Sequence, residues 1–157
     1  MGKFGTAVIL TLAAQAANAF CAPDTVELRT THGTVMRFSV ELADDPAERE
    51  LGLMNRDKMA TSAGMLFAYP APQHAYFWMK NTLIPLDLVF ADAAGHVAHV
   101  HQNAKPLDET PIDGGPDVTY VLEINGGLAA RLGLGEGAVM RSAVIDQAGA
   151  VWPCSAD

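Results

Sequence analysis

Apolar and polar positions along this chain fall mostly into short alternating or near-continuous apolar stretches separated by turn residues. Val26 to Thr31 and Val35 to Leu42 have the alternation of half-buried strands, and His32-Gly33 between them suits a tight hairpin turn. Asp44-Asp45-Pro46 then opens a helix, because an aspartate can cap and a proline fits the first turn, where its missing N–H is not needed. Ala47, Leu51 and Met54 recur at helical spacing and predict its apolar face; Gly52 keeps the helix short.

Further strands are predicted at Gly64 to Tyr69 and Ala75 to Lys80, with Pro70-Ala71-Pro72 as a turn between them. Ile84 to Phe90, Gly95 to Gln102, Val118 to Ile124, Ala138 to Ile145 and a short piece near Val151 continue the series. Gly127 to Leu132 reads as a second short helix, closed by Gly133. Many short strands with two short helices predict a mostly β (α+β) fold, a compact antiparallel β-sandwich or barrel. Asn103 to Asp117, with three prolines and two adjacent glycines, lacks periodicity and is expected to form a long binding or lid loop.

The run Phe77-Trp78-Met79-Lys80-Asn81-Thr82-Leu83-Ile84-Pro85-Leu86-Asp87 breaks the apolar pattern with an ammonium, an amide and a carboxylate. A charge inside such a run costs several kcal/mol, on the order of a buried unpaired ion, unless something compensates it. In Ile84 to Phe90 the apolar face is Ile84, Leu86, Leu88 and Phe90, so Asp87 points the other way. In Val118 to Ile124 the apolar face is Val118, Tyr120, Leu122 and Ile124, and Glu123 points oppositely. Trp78, Lys80, Asn81, Asp87 and Glu123 therefore form either the polar lining of a cleft or a buried polar network, with Lys80 paired to a carboxylate. In the cleft reading Asp87 and Glu123 are acid–base candidates, since carboxyls in different environments divide into proton donor and acceptor.

The amino terminus adds a compartment. Lys3 is followed by an apolar run from Phe4 to Ala17 and by Ala17-Asn18-Ala19, which predicts a secretory signal over residues 1–19 and one β-rich domain over residues 20–157. The run is too short for a membrane span, and none is expected in the mature chain. Cys21 and Cys154, the only cysteines, sit at opposite ends of that domain and are expected to form a disulfide in a periplasmic or secreted protein. With 10 basic and 18 acidic residues and a net charge of −8, the chain carries no electrostatic attraction to nucleic acid.

The marks Glu48-Arg49, Gly52-Leu53-Met54, Arg56, Gly64-Met65-Leu66-Phe67, the Phe77-to-Asp87 run and Val121-Leu122-Glu123-Ile124 with Gly127 cover nearly all of the mature chain. In these the chain resembles the bacterial and archaeal family known as domain of unknown function 192. The resemblance implies a compact, mostly β, often exported domain, and brings no established activity, substrate or cofactor.

Other chemistry is sparse. His99 and His101 project from one strand face and offer two metal ligands, but His74, Asp108 and Glu109 stand at no diagnostic spacing for a third, so no metal is expected. There is no nucleophile elbow, phosphate-cradling glycine loop or other cofactor motif. Arg49 and Arg56 read as surface charge pairs on the first helix. The leading functional reading is an exported accessory or ligand-binding domain with a cleft around Phe77–Asp87, taking a small molecule, a glycan or a protein. The alternatives are a hydrolase or isomerase using Asp87 and Glu123, and a structural partner in an envelope complex.

Overall fold

The computed structural model describes residues 21–156, so the signal segment predicted over residues 1–19 lies outside the described residues. Seven strands and two short helices follow one another: β1 (Thr25–Arg29), β2 (Val35–Ala43), α1 (Pro46–Leu51), β3 (Ala63–Phe77), β4 (Leu86–Ala91), β5 (Val97–Ala104), β6 (Ile112–Asn125), α2 (Leu128–Leu132) and β7 (Val139–Arg141). They form one sheet in the order β5-β4-β6-β3-β2-β1-β7. Every pairing is antiparallel except β2 with β3, which are joined by the crossover through α1. The sheet curls until its edges meet. Val97 N–H donates to Ala138 O (2.9 Å), Gly137 N–H to Val97 O (2.9 Å) and Met140 N–H to Gly95 O (2.7 Å).

The mostly β expectation therefore holds, and its origin is visible in β2. Met36, Phe38 and Val40 are buried while Val35, Arg37, Ser39 and Glu41 are exposed, so one face meets the core. Val26, Leu28, Phe38, Leu66, Leu122, Ile124 and Met140 belong to that core. The opposite face of β3, β4 and β6 has a core of its own, with Leu53, Met65, Phe67, Met79, Leu86, Leu88, Phe90 and Val121. Covered on both sides, β4 is buried at all six positions, which explains its near-continuous apolar sequence.

Several local expectations need correction: among the described residues no strand forms near Val151, and the strand expected over Ala138 to Ile145 is only Val139–Arg141. The turn at Pro70-Ala71-Pro72 is instead a large bulge within β3: Ala68 pairs with Tyr120 and Gln73 with Val118, so the extra β3 residues are expelled from the ladder together with both prolines. The same irregularity turns Val118 into the second core, away from Tyr120, Leu122 and Ile124. The long loop from Asn103 to Asp117 shrinks to residues 105–111, because Ile112, Asp113 and Gly115 pair with Phe77, Tyr76 and Ala75. Gly114 there packs against the Phe90 ring, where a Cβ would lie 2.3 Å from Cδ1. Finally, α1 buries none of its residues and Leu51 is 57% exposed. Gly52, at φ 49°, ends the helix before a second turn, and inward packing passes to Leu53.

The predicted cap of α1 is present as a full capping box. The Asp45 carboxylate accepts from Glu48 N–H (2.8 Å), and the Glu48 side chain accepts from Asp45 N–H (3.4 Å). At the other end of the chain, Cys21 and Cys154 are joined by a disulfide with a Cα–Cα distance of 5.7 Å. No helix among the described residues is long and apolar enough to cross a membrane.

Candidate functional site

Glu123 lies in the middle of the sheet. Its neighbours across the ladders are Met65 on β3 and Leu88 on β4, so its side chain enters the second, apolar core. The residue is 4% exposed, and Oε2 is buried without a hydrogen-bond partner among the described residues. Burial pushes the carboxyl up to about 8, because loss of water disfavours its charged form.

Glu123 forms part of the lining of a cleft of about 90 Å³, walled by Phe67 and Tyr69 from β3, by Tyr76, Phe77, Trp78 and Thr82 further along, and by the Arg49–Met54 segment. Each wall has a local cause. Phe77 sits between Phe67 and Phe90 in edge-on contacts, with centroids 5.2 and 5.7 Å away. Gly52 approaches the Phe67 ring so closely that a Cβ would lie 3.3 Å from Cζ. Arg49 donates through Nη1 to Ala68 O (2.9 Å) and to Asp44 O, and its guanidinium lies 5.1 Å from the Tyr69 centroid. Burial pushes the Tyr69 phenol up; Arg49 opposes that shift and Glu123 adds to it.

Of the residues singled out in the sequence, Trp78 and Glu123 share this cleft. Trp78 is 45% exposed, and Lys80 Nζ stands 4.8 Å from its ring centroid. Asn81 adopts φ 53°, a left-handed turn position that asparagine tolerates. Its carbonyl accepts from Asn55 N–H (2.8 Å), and its Nδ2 lies 4.0 Å from Met54 Sδ, so it ties the Trp78 turn to the Met54 wall.

Asp87 is elsewhere. It faces the first core, is fully buried, and accepts backbone N–H bonds from Asn103 (2.7 Å), Gly127 (2.9 Å) and Ala129 (2.6 Å). It thereby caps α2, whose own cap residue Gly127 has no side chain to do so. The proposed ion pair with Lys80 is not formed: among the described residues no carboxylate lies within 4.0 Å of the Lys80 ammonium. Nor can Asp87 and Glu123 act on one substrate atom as acid and base, because the β4–β6 register directs them to opposite faces of the sheet.

Sequence reasoning passed over Arg49 as a surface charge and did not select Tyr69. The only signal was the motif Glu48-Arg49 followed by Gly52-Leu53-Met54, which brings the arginine and the close-approach glycine together. It also passed over Glu27. Burial pushes this carboxyl up, but hydrogen bonds from Arg37 and Arg141 and their charges outweigh it and hold Glu27 below its usual range. His99 stacks on Phe90 at 5.7 Å, and among the described residues no three metal-ligating side chains converge.

The comparisons with other proteins agree with this architecture. The family model DUF192, described as an uncharacterised ACR, matches residues 27–142, and the chain belongs to this family. A solved structure from Sinorhizobium meliloti 1021, assigned provisionally as a transcription regulator, is 43% identical with a TM-score of 0.74, over 76% of this chain and 93% of its own. A protein of unknown function from Novosphingobium aromaticivorans DSM 12444 is also 43% identical, with a TM-score of 0.72 over 74% of this chain and 83% of its own. No curated protein matches the chain.

Proposed function

We propose that this protein is an exported ligand-binding domain whose ligand enters the cleft beside Trp78 and Glu123. One observation carries the reading: a carboxyl oxygen buried without a partner, in a cleft whose rim leaves Leu51, Tyr76 and Trp78 exposed. An unmatched buried polar atom destabilises the fold by about 1–3 kcal/mol, and a ligand that satisfies it recovers that free energy on binding. Export is supported by the Phe4–Ala17 run with its small-residue site and by the terminal disulfide. The regulator description of the Sinorhizobium relative is not carried to this chain, since a net charge of −8 works against DNA binding.

A fragment screen read by protein NMR tests the binding reading. Hits are expected to move resonances of residues 49–54 and 76–82, and Trp78→Ala is expected to weaken them at least fivefold. Hits that cluster elsewhere, or that ignore Trp78→Ala, would overturn it. Periplasmic fractionation with amino-terminal sequencing tests export: mature protein is expected to begin at Phe20, and an intact Met1 in the cytoplasm would sink that part.

A further inference from the structure

Two arginines of this protein hold a carboxylate by one edge, and Arg49 leaves the same edge unused. Arg37 and Arg141 each present Nε and Nη2 to the Glu27 carboxylate. That edge carries two parallel N–H donors, a fork that matches a carboxylate. Arg49 is anchored from its other side. Its Nη1 donates to Ala68 O (2.9 Å) and to Asp44 O, and its guanidinium lies 5.1 Å from the Tyr69 centroid. Among the described residues its Nε and Nη2 have no hydrogen-bond partner, and no carboxylate lies within 4.0 Å of the guanidinium.

Arg49 is half-buried and lines the cleft together with Trp78. A second half-buried cation, Lys80, stands 4.8 Å from the Trp78 centroid, again with no carboxylate within 4.0 Å among the described residues. Two partly desolvated cations without a counter-ion, beside the apolar walls of Leu53, Phe67 and Phe77, call for an anion with an apolar body. The acidic groups of the cleft do not supply it. Burial holds Glu123 as the neutral acid below about pH 8, and Glu50 is exposed and outside pairing distance of Arg49. The net charge of −8 opposes an anion at long range, but salt screens it beyond about 8 Å.

We propose that the cleft binds a small organic carboxylate, held by the Nε/Nη2 edge of Arg49, with its apolar body against Phe77 and Trp78. Lys80 adds a second positive charge on the Trp78 side. This rests on the ligand-binding reading above and adds the ligand's chemical class. The contacts are to the two cations, and the buried Glu123 oxygen takes no part in them. A carboxylate fits better than a phosphate, because one planar fork satisfies its two oxygens and the walls suit an apolar body.

Butyrate, butyramide, butylammonium and inorganic phosphate, each titrated against the intact protein by NMR, make the test. Butyrate is expected to shift the 49–54 and 76–82 resonances. It should bind about tenfold more tightly than butyramide, which has the same shape without the charge. Butylammonium should leave those resonances in place. Arg49→Lys keeps the charge but loses the fork, and should weaken butyrate about tenfold. Because Arg49 also anchors Ala68 O, Lys80→Met provides a variant that leaves that anchor intact. It should weaken butyrate about threefold and leave butyramide unchanged. If butyramide or butylammonium binds there as tightly as butyrate, or neither variant moves butyrate affinity, the carboxylate assignment is overturned and the cleft reading survives. Phosphate binding there more tightly than butyrate would also overturn it, marking a site for bare anions. If none of the four probes shifts those resonances, the carboxylate assignment fails, and the wider fragment screen alone decides the cleft.

Discussion

Across the β4–β6 ladder Asp87 stands opposite Ile124, and Leu88 opposite Glu123. Facing residues in an antiparallel pair project to the same side, so this single-residue offset sends the two carboxyls to opposite faces of the sheet. One accepts three backbone amides, two of them at the start of α2 and one from Asn103 on β5; the other is left with a buried oxygen that nothing among the described residues satisfies. Two acidic residues that look alike along the sequence thus do opposite work.

Asp87→Ala is expected to destabilise the fold by about 3–5 kcal/mol, since each buried donor left unmatched costs about 1–3 kcal/mol and some relaxation is available. Lys80→Met should cost about 1 kcal/mol or less, because the ammonium stands against the exposed Trp78 ring and has no carboxylate within 4.0 Å among the described residues. The double change should be the sum of the two. A denaturation double-mutant cycle checks this, and coupling above about 1 kcal/mol would show that Lys80 and Asp87 interact after all.

Glu27 gives a contrasting buried carboxylate. Arg141, 8% exposed, donates to it through Nε (2.8 Å), and Arg37, with a 46% exposed side chain, through Nη2 (2.8 Å). The Arg141 guanidinium also lies 4.0 Å from the Trp152 centroid. Arg141→Ala should therefore cost about 3–5 kcal/mol, as for breaking a buried pair, and Arg37→Ala about 1 kcal/mol or less, as for an exposed one. Equal losses in urea denaturation would contradict that division.

How far the sequence reveals all this depends on the range of the interaction involved. The alternation in β2 and the cap at Asp45 are local and readable, and so is the fact that Asp87 and Glu123 each oppose an apolar strand face. Whether they share a face depends on the offset between β4 and β6, and no residue in either strand encodes that by itself. Asn103 to Asp117 misleads for a similar reason. Its prolines and glycines signal a loop locally, yet Ile112 to Gly115 finds a partner in Ala75 to Phe77, and Gly114 is needed beneath Phe90. Arg49 looks like any charge on a short helix until the chain folds it over Tyr69.

The disulfide should matter to stability more than to shape. Cys21 and Cys154 are 133 residues apart, and closing so long a loop restrains the unfolded chain by about 4–5 kcal/mol in the chain-entropy model. The Cys21→Ser, Cys154→Ser double variant should keep a native spectrum but unfold at clearly lower denaturant. An unchanged midpoint would mean that the cross-link contributes nothing to holding the native state.

The last expectation concerns pH and Glu123 in the absence of any ligand. Its carboxyl titrates near 8 when folded and near 4.5 when exposed. Between those values the folded state holds a proton that the unfolded state has released, so raising the pH favours unfolding. The contribution from this group is fully present below 4.5 and is lost as the pH rises to about 8. Its slope approaches 1.4 kcal/mol per pH unit, roughly the value of one proton. Glu27 works in the other direction, its stabilisation fading as acid protonates it, so the whole protein's profile mixes the two. Subtraction isolates Glu123: the stability of wild type minus that of Glu123→Gln, measured by denaturation from pH 5 to 8, should fall steadily. Glu123→Leu, which replaces the unpartnered acid with an apolar side chain of similar size, should be more stable than wild type at pH 8. A flat difference across that range would show that Glu123 is not held as a buried acid, and would remove the observation on which ligand binding in the cleft is argued.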